Sequence, residues 1–217
     1  MIVLVGNEKG GTGKTTLAVN LAAMRAAEGH DVLLVDCDPM ASATAWCGAR
    51  DEVAEEMDIP RFTSIQKLGK TVYKAIVDLS SKYEDIIIDA GGRDSVEMRG
   101  AMSAADICLV PARPSQLDVW ALQRVAGIIA NAKVSVNPDL DTLVVLCMAS
   151  THPAESKTRE AREFLEDIEE YDLARTVVYS RTAYQDCFPM GLSVCEYDPT
   201  SKACAEMELL YQEVFDA

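Results

Sequence analysis

A glycine-rich loop near the N-terminus, Gly10–Thr16, reads GGTGKTT and has the composition of a phosphate-binding turn. Glycines let backbone N–H groups turn inward around phosphate oxygens, and a helix that follows directs its positive N-terminal end at them. Lys14 would reach the β- and γ-phosphates, and the Thr15 hydroxyl would ligate Mg²⁺. The alternative is a glycine-rich turn with a structural role only. The nucleotide interpretation predicts seven contact residues: Gly10, Gly11, Thr12, Gly13, Lys14, Thr15 and Thr16.

The same loop carries a second lysine, Lys9, five positions before Lys14. In the common phosphate-loop pattern G-x-x-x-x-G-K-[ST] a glycine leads the loop, whereas Glu8 occupies that position here. One lysine is enough to hold a nucleotide's phosphates. By its position at the start of the loop, Lys9 points away from the phosphates of its own subunit, and a solvated surface lysine is the simplest interpretation.

Three aspartates close apolar runs further along the chain. Asp36 and Asp38 end VLLVDCDP, and Asp89 lies in DIIIDAGG. If these runs are parallel strands, their carboxyl ends meet at one edge of the sheet, beside the phosphate loop. Asp89 would then approach Mg²⁺, and Gly91–Gly92 would let the backbone approach the γ-phosphate. Two carboxylates two positions apart could instead cap the next helix.

The elements that must position these residues are short apolar runs alternating with helical periods. Continuous apolar runs are typical of strands that are covered on both faces of a parallel sheet. The pattern predicts six strands: Ile2–Val5, Asp31–Asp36, Asp85–Ala90, Asp106–Ala112, Thr142–Met148 and Ala174–Tyr179. It predicts helices over Lys14–His30, Ser64–Ser81, Ser115–Ala132, Glu155–Glu170 and Ser201–Phe215, and a surface loop with a helical piece over Gly48–Phe62. We expect a single α/β domain over residues 1–217, with a doubly wound, mostly parallel sheet and helices on both faces.

Composition excludes several classes of protein. The 217 residues include 20 Lys and Arg against 35 Asp and Glu, a net charge of −15, which argues against casual binding to nucleic acid or anionic lipid. No apolar run reaches the roughly 18–20 residues of a membrane span, and the N-terminal run lacks the basic flank of a signal peptide. The seven cysteines contain no CxxC pair, so we expect reduced core cysteines in a cytoplasmic protein rather than a metal site.

The stretch KGGTGKTT, which begins at Lys9, resembles the deviant Walker A loop of the ParA/MinD superfamily of P-loop ATPases. VLLVDCDP is similar to the D-x-D-P motif of that family and DIIIDAGG to its Walker B motif, in the form of the small plasmid-partition members. The resemblance implies that Lys9 crosses an ATP-sandwich homodimer to the partner's phosphates. It implies that Asp38 positions or activates the attacking water. It places Thr15, Asp36 and Asp89 around magnesium, with Lys9, Lys14 and Asp38 as the catalytic residues.

The function implied by this resemblance is a weak ATPase, with ATP and Mg²⁺ as cofactors, that an adaptor protein of the ParB kind stimulates. Such a switch positions or segregates DNA or a protein cargo, and its ATP dimers bind nucleoid DNA nonspecifically. That binding needs clustered cations. The candidates are Lys157, Arg159, Arg162, Arg175, Arg181 and Lys202.

Two features of the sequence depart from the family pattern, and two other classes of protein are the alternatives. Met40 occupies the position where the family usually has Gln, and no arginine near the loop supplies a finger in cis. Residues near Met148 and the Phe188–Gly191 turn are expected to wall the adenine. A metabolic P-loop enzyme of the dethiobiotin synthetase or amidoligase kind is the main alternative. A membrane-binding relative would need a basic amphipathic C-terminal helix, whereas the tail MELLYQEVFDA is acidic.

Overall fold

The computed structural model of the chain describes residues 1–92, 94–152 and 156–216. In these ranges seven parallel strands form one sheet in the order β3-β2-β4-β1-β5-β6-β7. The order reverses beside β1, which lies between β4 and β5, so a crevice opens at the carboxyl end of β1. The strands are β1 (Ile2–Val5), β2 (Val32–Cys37), β3 (Thr63–Gln66), β4 (Asp85–Ala90), β5 (Ile107–Ala112), β6 (Asp141–Ala149) and β7 (Asp172–Tyr179).

Helices cover both faces of the sheet, which confirms the predicted doubly wound α/β fold. Val3 and Val5 of β1 face a core that includes α1, α2 and α9, and Leu4 faces a second core that includes α3, α4, α5 and α6. This alternation is the period of two that a strand imposes on its side chains. The helices are α1 (Lys14–Ala27), α2 (Ser42–Met57), α3 (Val72–Ser80), α4 (Val96–Met102), α5 (Gln116–Ser135), α6 (Lys157–Leu165), α7 (Thr182–Cys187), α8 (Val194–Tyr197) and α9 (Lys202–Phe215).

The helix predicted over Ser64–Ser81 is wrong at its start, because this segment first forms the edge strand β3 and becomes helical only at Val72. β3 pairs with β2 alone and none of its four residues is fully buried. An edge strand of this kind needs no continuous apolar run, which was the only strand signal available in the sequence.

Over Gly48–Phe62, predicted as a surface loop with a helical piece, the helical piece is confirmed, but it is the second part of a longer helix, α2, which begins at Ser42 and continues through Met57. The buried side of this helix contains Trp46, Arg50 and Ala54, four residues apart. Because Arg50 lies in the middle of these buried residues, it interrupts the apolar periodicity by which a buried helix is recognised in a sequence. The helix predicted over 155–170 is shorter than expected, because α6 covers Lys157–Leu165 and residues 166–170 form turns. Glu155 lies outside the described residues.

Two cysteines differ from the expectation of reduced core thiols. Cys195 and Cys204 form a disulfide between α8 and α9, with their Cα atoms 4.6 Å apart. The short connection between these helices folds back and brings the two residues within the range that a disulfide spans. The remaining cysteines are free and buried: Cys37, Cys47, Cys108, Cys147 and Cys187.

Candidate nucleotide site

The glycine-rich loop joins the carboxyl end of β1 to the N-terminus of α1. Gly13 has a φ of 100° and precedes the helix, with no side chain capping the first turn. A residue with a Cβ atom would be strained in this left-handed conformation. The N–H groups of that turn therefore face the loop, which is the arrangement that binds anions at helix N-termini.

Lys14, the first residue of α1, is 7% exposed and lies over its own loop. Its Nζ donates a hydrogen bond to the Lys9 carbonyl oxygen at 2.9 Å. Burial lowers the pKa of Lys14, although the carboxylates of Asp89 and Asp38 oppose that shift. A buried ammonium whose hydrogen-bond acceptor is a backbone carbonyl can exchange it for a phosphate oxygen, so the placement suits a phosphate ligand.

Asp89, at the end of β4, accepts a hydrogen bond from the Thr15 hydroxyl at 2.7 Å. Its second oxygen, Oδ1, is buried and has no hydrogen-bond partner among the described residues. Burial raises the pKa of Asp89 to about 7, against the opposing effect of the Thr15 hydrogen bond. An unpartnered carboxylate oxygen beside a hydroxyl is an oxygen donor set of the kind that Mg²⁺ prefers, so these residues fit the expected metal.

Asp36 and Asp38 lie at the end of β2, on the same edge of the sheet, and Asp36 takes part in helix capping. Asp36 Oδ2 accepts hydrogen bonds from the backbone N–H and the hydroxyl of Thr44, at 2.8 and 2.9 Å, in the first turn of α2. Asp38 Oδ1 accepts one from the Met40 N–H at 2.9 Å. Asp36 therefore caps the next helix, as the alternative interpretation of the sequence predicted. Both carboxylates also lie close to Asp89, as a nucleotide site would require.

Gly92 allows the segment after β4 to approach the phosphate loop closely. A Cβ atom on Gly92 would lie 3.0 Å from Gly10 Cα and 3.4 Å from Lys14 Nζ. A Cβ atom on the preceding Gly91 would meet the Asp38 carboxyl carbon at 3.5 Å. Because Gly91 and Gly92 have no side chains, the phosphate loop, the end of β2 and the segment after β4 can contact one another around one space.

The Lys9 side chain pairs with an aspartate of the same subunit. Its Nζ is 2.8 Å from Asp118 Oδ2 in the first turn of α5, and the lysine side chain is 39% exposed. Asp118 is buried and also accepts a hydrogen bond from the Ser115 hydroxyl, yet its Oδ1 has no partner among the described residues. The Lys9 ammonium is therefore held at Asp118 and stays partly exposed, while the Lys9 carbonyl oxygen contacts Lys14.

Arg113 is a site residue that the sequence interpretation missed. Its guanidinium donates a hydrogen bond to the Gly11 carbonyl oxygen, and the side chain is exposed beside the loop. The available signal was its position directly after β5, at the same carboxyl edge as the other motifs. An arginine therefore lies beside the loop, with its guanidinium on the Gly11 carbonyl oxygen; that an arginine finger in cis is lacking stays a prediction.

A cleft of about 450 Å³ extends from the phosphate loop. Met148, Phe188 and Pro189 form part of its wall, as expected for the base of a nucleotide. Tyr184 and Arg181 also line it, and Arg181 is held by Glu206. Gly13, Thr15 and Thr16 close the end nearest the phosphates.

The cations proposed for DNA contact in the C-terminal third are largely engaged by protein groups. Arg175 and Arg181 pair with Glu213 and Glu206 on α9. Arg162 donates to the backbone carbonyls of residues 174 and 175. Arg159 pairs with Glu163 one helical turn away. This surface therefore offers little uncompensated positive charge.

No helix within the described ranges has the length and apolar character needed to cross a membrane.

The chain is similar to known proteins in sequence and in fold. The profile of the CobQ/CobB/MinD/ParA nucleotide binding domain family matches residues 3–185. Protein ParA of Rhizobium radiobacter is 31% identical over 192 residues, which span 88% of this chain and 83% of the relative. The cell division ATPase MinD of Pyrococcus furiosus has a TM-score of 0.78 at 21% identity, covering 99% of this chain and 98% of MinD. A complex of a Cyanothece McdA variant with ATP has a TM-score of 0.80 at 17% identity, covering 100% of this chain and 96% of McdA.

Proposed function

Because this chain belongs to the CobQ/CobB/MinD/ParA nucleotide-binding domain family, we propose that it is an ATP-dependent switch ATPase that positions or segregates DNA or a protein cargo. The observation that carries the proposal is the convergence of Lys14, the Thr15–Asp89 pair and Asp38 on one space at the carboxyl edge of the sheet. ATP is hydrolysed there to ADP and phosphate.

Each residue of the site has a separate task in phosphoryl transfer. Lys14 and the N–H groups at the start of α1 bind and orient the phosphates, and Lys14 stabilises the charge that develops on them. Asp38 orients the attacking water from the end of β2. Thr15 and Asp89 would hold magnesium, with Asp36 contacting it through its water shell, and the ion would neutralise negative charge on the phosphates.

Lys9 supports a mechanism that needs two subunits. Its ammonium does not reach its own phosphate position but is partly exposed on Asp118. In an ATP-sandwich homodimer it leaves Asp118 and contacts the phosphates bound by the partner subunit. Arg113 lies on the same exposed rim of the loop and adds a second cation to that interface. Hydrolysis in the isolated subunit is therefore slow.

The dimer acts on a cargo through an adaptor protein of the ParB kind, which stimulates hydrolysis and returns the subunits to monomers. The ATP-bound dimer binds DNA nonspecifically, in the cytoplasm and on the nucleoid. The acidic chain requires that this contact be made by a local group of cations.

A metabolic P-loop enzyme of the dethiobiotin synthetase or amidoligase kind is less well supported. Such an enzyme needs basic or catalytic side chains for a second substrate beside the nucleotide. Arg181, a cation in the wall of the cleft, is already bound by Glu206. The ParA relative and the second lysine, Lys9, both favour the switch.

The test compares ATP-dependent dimerisation of the wild type with that of Lys9→Ala, by light scattering after gel filtration, together with ATPase rates. We expect a monomer without nucleotide, a dimer with ATP and Mg²⁺, and loss of the dimer in Lys9→Ala. Lys82→Ala, an exposed lysine at the opposite edge of the sheet, is the matched control and should behave as wild type. An unchanged dimer and unchanged hydrolysis in Lys9→Ala would contradict the proposal.

A further inference from the structure

One segment of this acidic chain carries only positive charge. Residues 59–77 contain four cations and no carboxylate, within a protein of net charge −15. Three of the four lie in the connection from β3 to α3 and the first turn of that helix: Lys67, Lys70 and Lys74. We call these three residues the β3–α3 lysine patch.

Two carboxylates lie close to the patch, Glu97 on α4 and Asp78 one helical turn after Lys74, but neither is within ion-pair distance of its lysines. Lys70 and Lys74 are exposed and Lys67 is half-buried, and none of the three forms an ion pair within the described ranges. Glu97 accepts a hydrogen bond from the Gly69 N–H at 2.8 Å, which lowers its pKa, so it stays negatively charged but is directed at the backbone and not at a lysine. The patch therefore differs from the C-terminal third, where the arginines are bound by protein oxygens.

The patch is attached directly to the nucleotide motifs. The Lys67 N–H donates to the Asp36 carbonyl oxygen at 2.8 Å, and the Gln66 side-chain amide donates to the Asp38 carbonyl oxygen at 3.3 Å. Glu97, which holds Gly69, belongs to α4, the helix that follows Gly91–Gly92. A nucleotide-dependent movement of either motif would thus be transmitted to the lysines.

We propose that the β3–α3 lysine patch is the surface that contacts the phosphodiester backbone of DNA in the ATP-bound dimer. This inference rests on the proposed function. Lysine ammonium groups bind phosphates as point charges without reading sequence, which suits nonspecific contact. Exposed Tyr73 lies between Lys70 and Lys74 and can add a contact to the sugar–phosphate chain. Because the patch follows an edge strand, a role limited to preventing edge-to-edge aggregation is the competing explanation.

A membrane surface fits the patch less well than DNA. Interfacial helices bury an apolar face in the lipid. In α3, Val72 and Ile76 are fully buried in the core of the protein, which leaves Tyr73 and Val77 as the exposed large apolar side chains of the helix, a small face for insertion into lipid.

The experiment measures binding of a fluorescent, random-sequence DNA duplex by anisotropy, with ATP and Mg²⁺, over a series of salt concentrations. The variant is Lys70→Gln/Lys74→Gln, which changes two exposed side chains outside the hydrolytic machinery. Arg159→Gln/Arg175→Gln removes the same charge from the C-terminal third and is the matched control. Dimerisation with ATP and hydrolysis without DNA are measured on all proteins, so that a failure of the switch is seen separately.

We expect the patch variant to dimerise normally but to bind DNA about tenfold more weakly. The slope of the logarithm of its affinity against the logarithm of salt concentration should decrease by about 2, because about two phosphate contacts are lost. The control should bind within about twofold of wild type. Equal loss in the control, an unchanged salt dependence in the patch variant, or no DNA binding by a wild-type dimer would each overturn the proposal. Preferential binding to phosphatidylglycerol vesicles over DNA, lost in the patch variant, would overturn it in favour of a membrane contact.

Discussion

At the carboxyl edge of the sheet, charged side chains are buried without a full set of partners, whereas carboxylates of the C-terminal helices α8 and α9 are paired with arginines. Asp89 and Asp118 each have one buried carboxylate oxygen with no partner among the described residues. Arg181, in contrast, is held by Glu206, and Arg50 by Glu196. Burying unpartnered polar groups costs stability, so the first region is organised for a ligand and the second for the fold.

Breaking a pair in the second region should have the largest effect. Arg50 is 2% exposed and donates two hydrogen bonds to the Glu196 carboxylate, at 2.9 and 2.7 Å. Arg50→Met leaves that carboxylate without its cation, and we expect a loss of about 3–5 kcal/mol in the free energy of unfolding. Urea unfolding measures this change.

The control for this variant is Arg159→Met, which breaks an exposed pair on α6. Its expected cost is below about 0.5 kcal/mol. If both variants lost the same stability, the distinction between a buried structural pair and a surface pair would fail.

Removing a charge from the first region should affect activity and not stability. Lys14→Ala deletes the ammonium that binds the phosphates, and we expect ATP hydrolysis to fall by about a hundredfold or more. Since the unliganded protein loses a desolvated cation, its urea midpoint should stay the same or rise. A large loss of stability without nucleotide would mean that Lys14 is a structural residue.

A smaller loss of stability than that of Arg50→Met is expected for the ion pair between Lys9 and Asp118, which combines properties of both regions. Lys9→Ala leaves a buried carboxylate without its cation and should cost about 1 kcal/mol in the absence of nucleotide, since the lysine is partly exposed. Asp118→Asn in the same chain should restore part of that loss. A double-mutant cycle in urea measures the coupling, and strictly additive losses would show that the two side chains do not interact in solution.

Much of the fold was predictable because its strands are buried on both faces. Continuous apolar runs located six of the seven strands within the described ranges. β3 was missed because an edge strand contacts a single neighbour and stays partly exposed. The extent of α2 was missed because Arg50, in the middle of its buried stripe, is stabilised by Glu196 from a distant part of the chain.

Within the candidate site, the local motifs were predictable and the contacts between them were not. The spacing of GGTGKTT and the aspartates at the ends of apolar runs indicated which residues would meet at one edge of the sheet. The hydrogen bond from Arg113 to the loop was missed, because it joins segments that are 102 residues apart. Asp36 was assigned to the metal, with capping of the next helix as the alternative, and its actual partner, Thr44, became visible only once α2 was placed.

The sequence by itself determined the chemistry of this protein: a glycine loop with two lysines, three aspartates at strand ends, and an α/β order that brings them together. The tertiary structure alone decided which charges are neutralised. Lys9 meets Asp118 across 109 residues, and Arg50 meets Glu196 across 146. Local spacing cannot reveal such pairs, because a charge is neutralised by whatever the fold places within a few ångströms of it. For the same reason, the lysines of the β3–α3 patch were recognised as unpaired only after the acidic groups had been located.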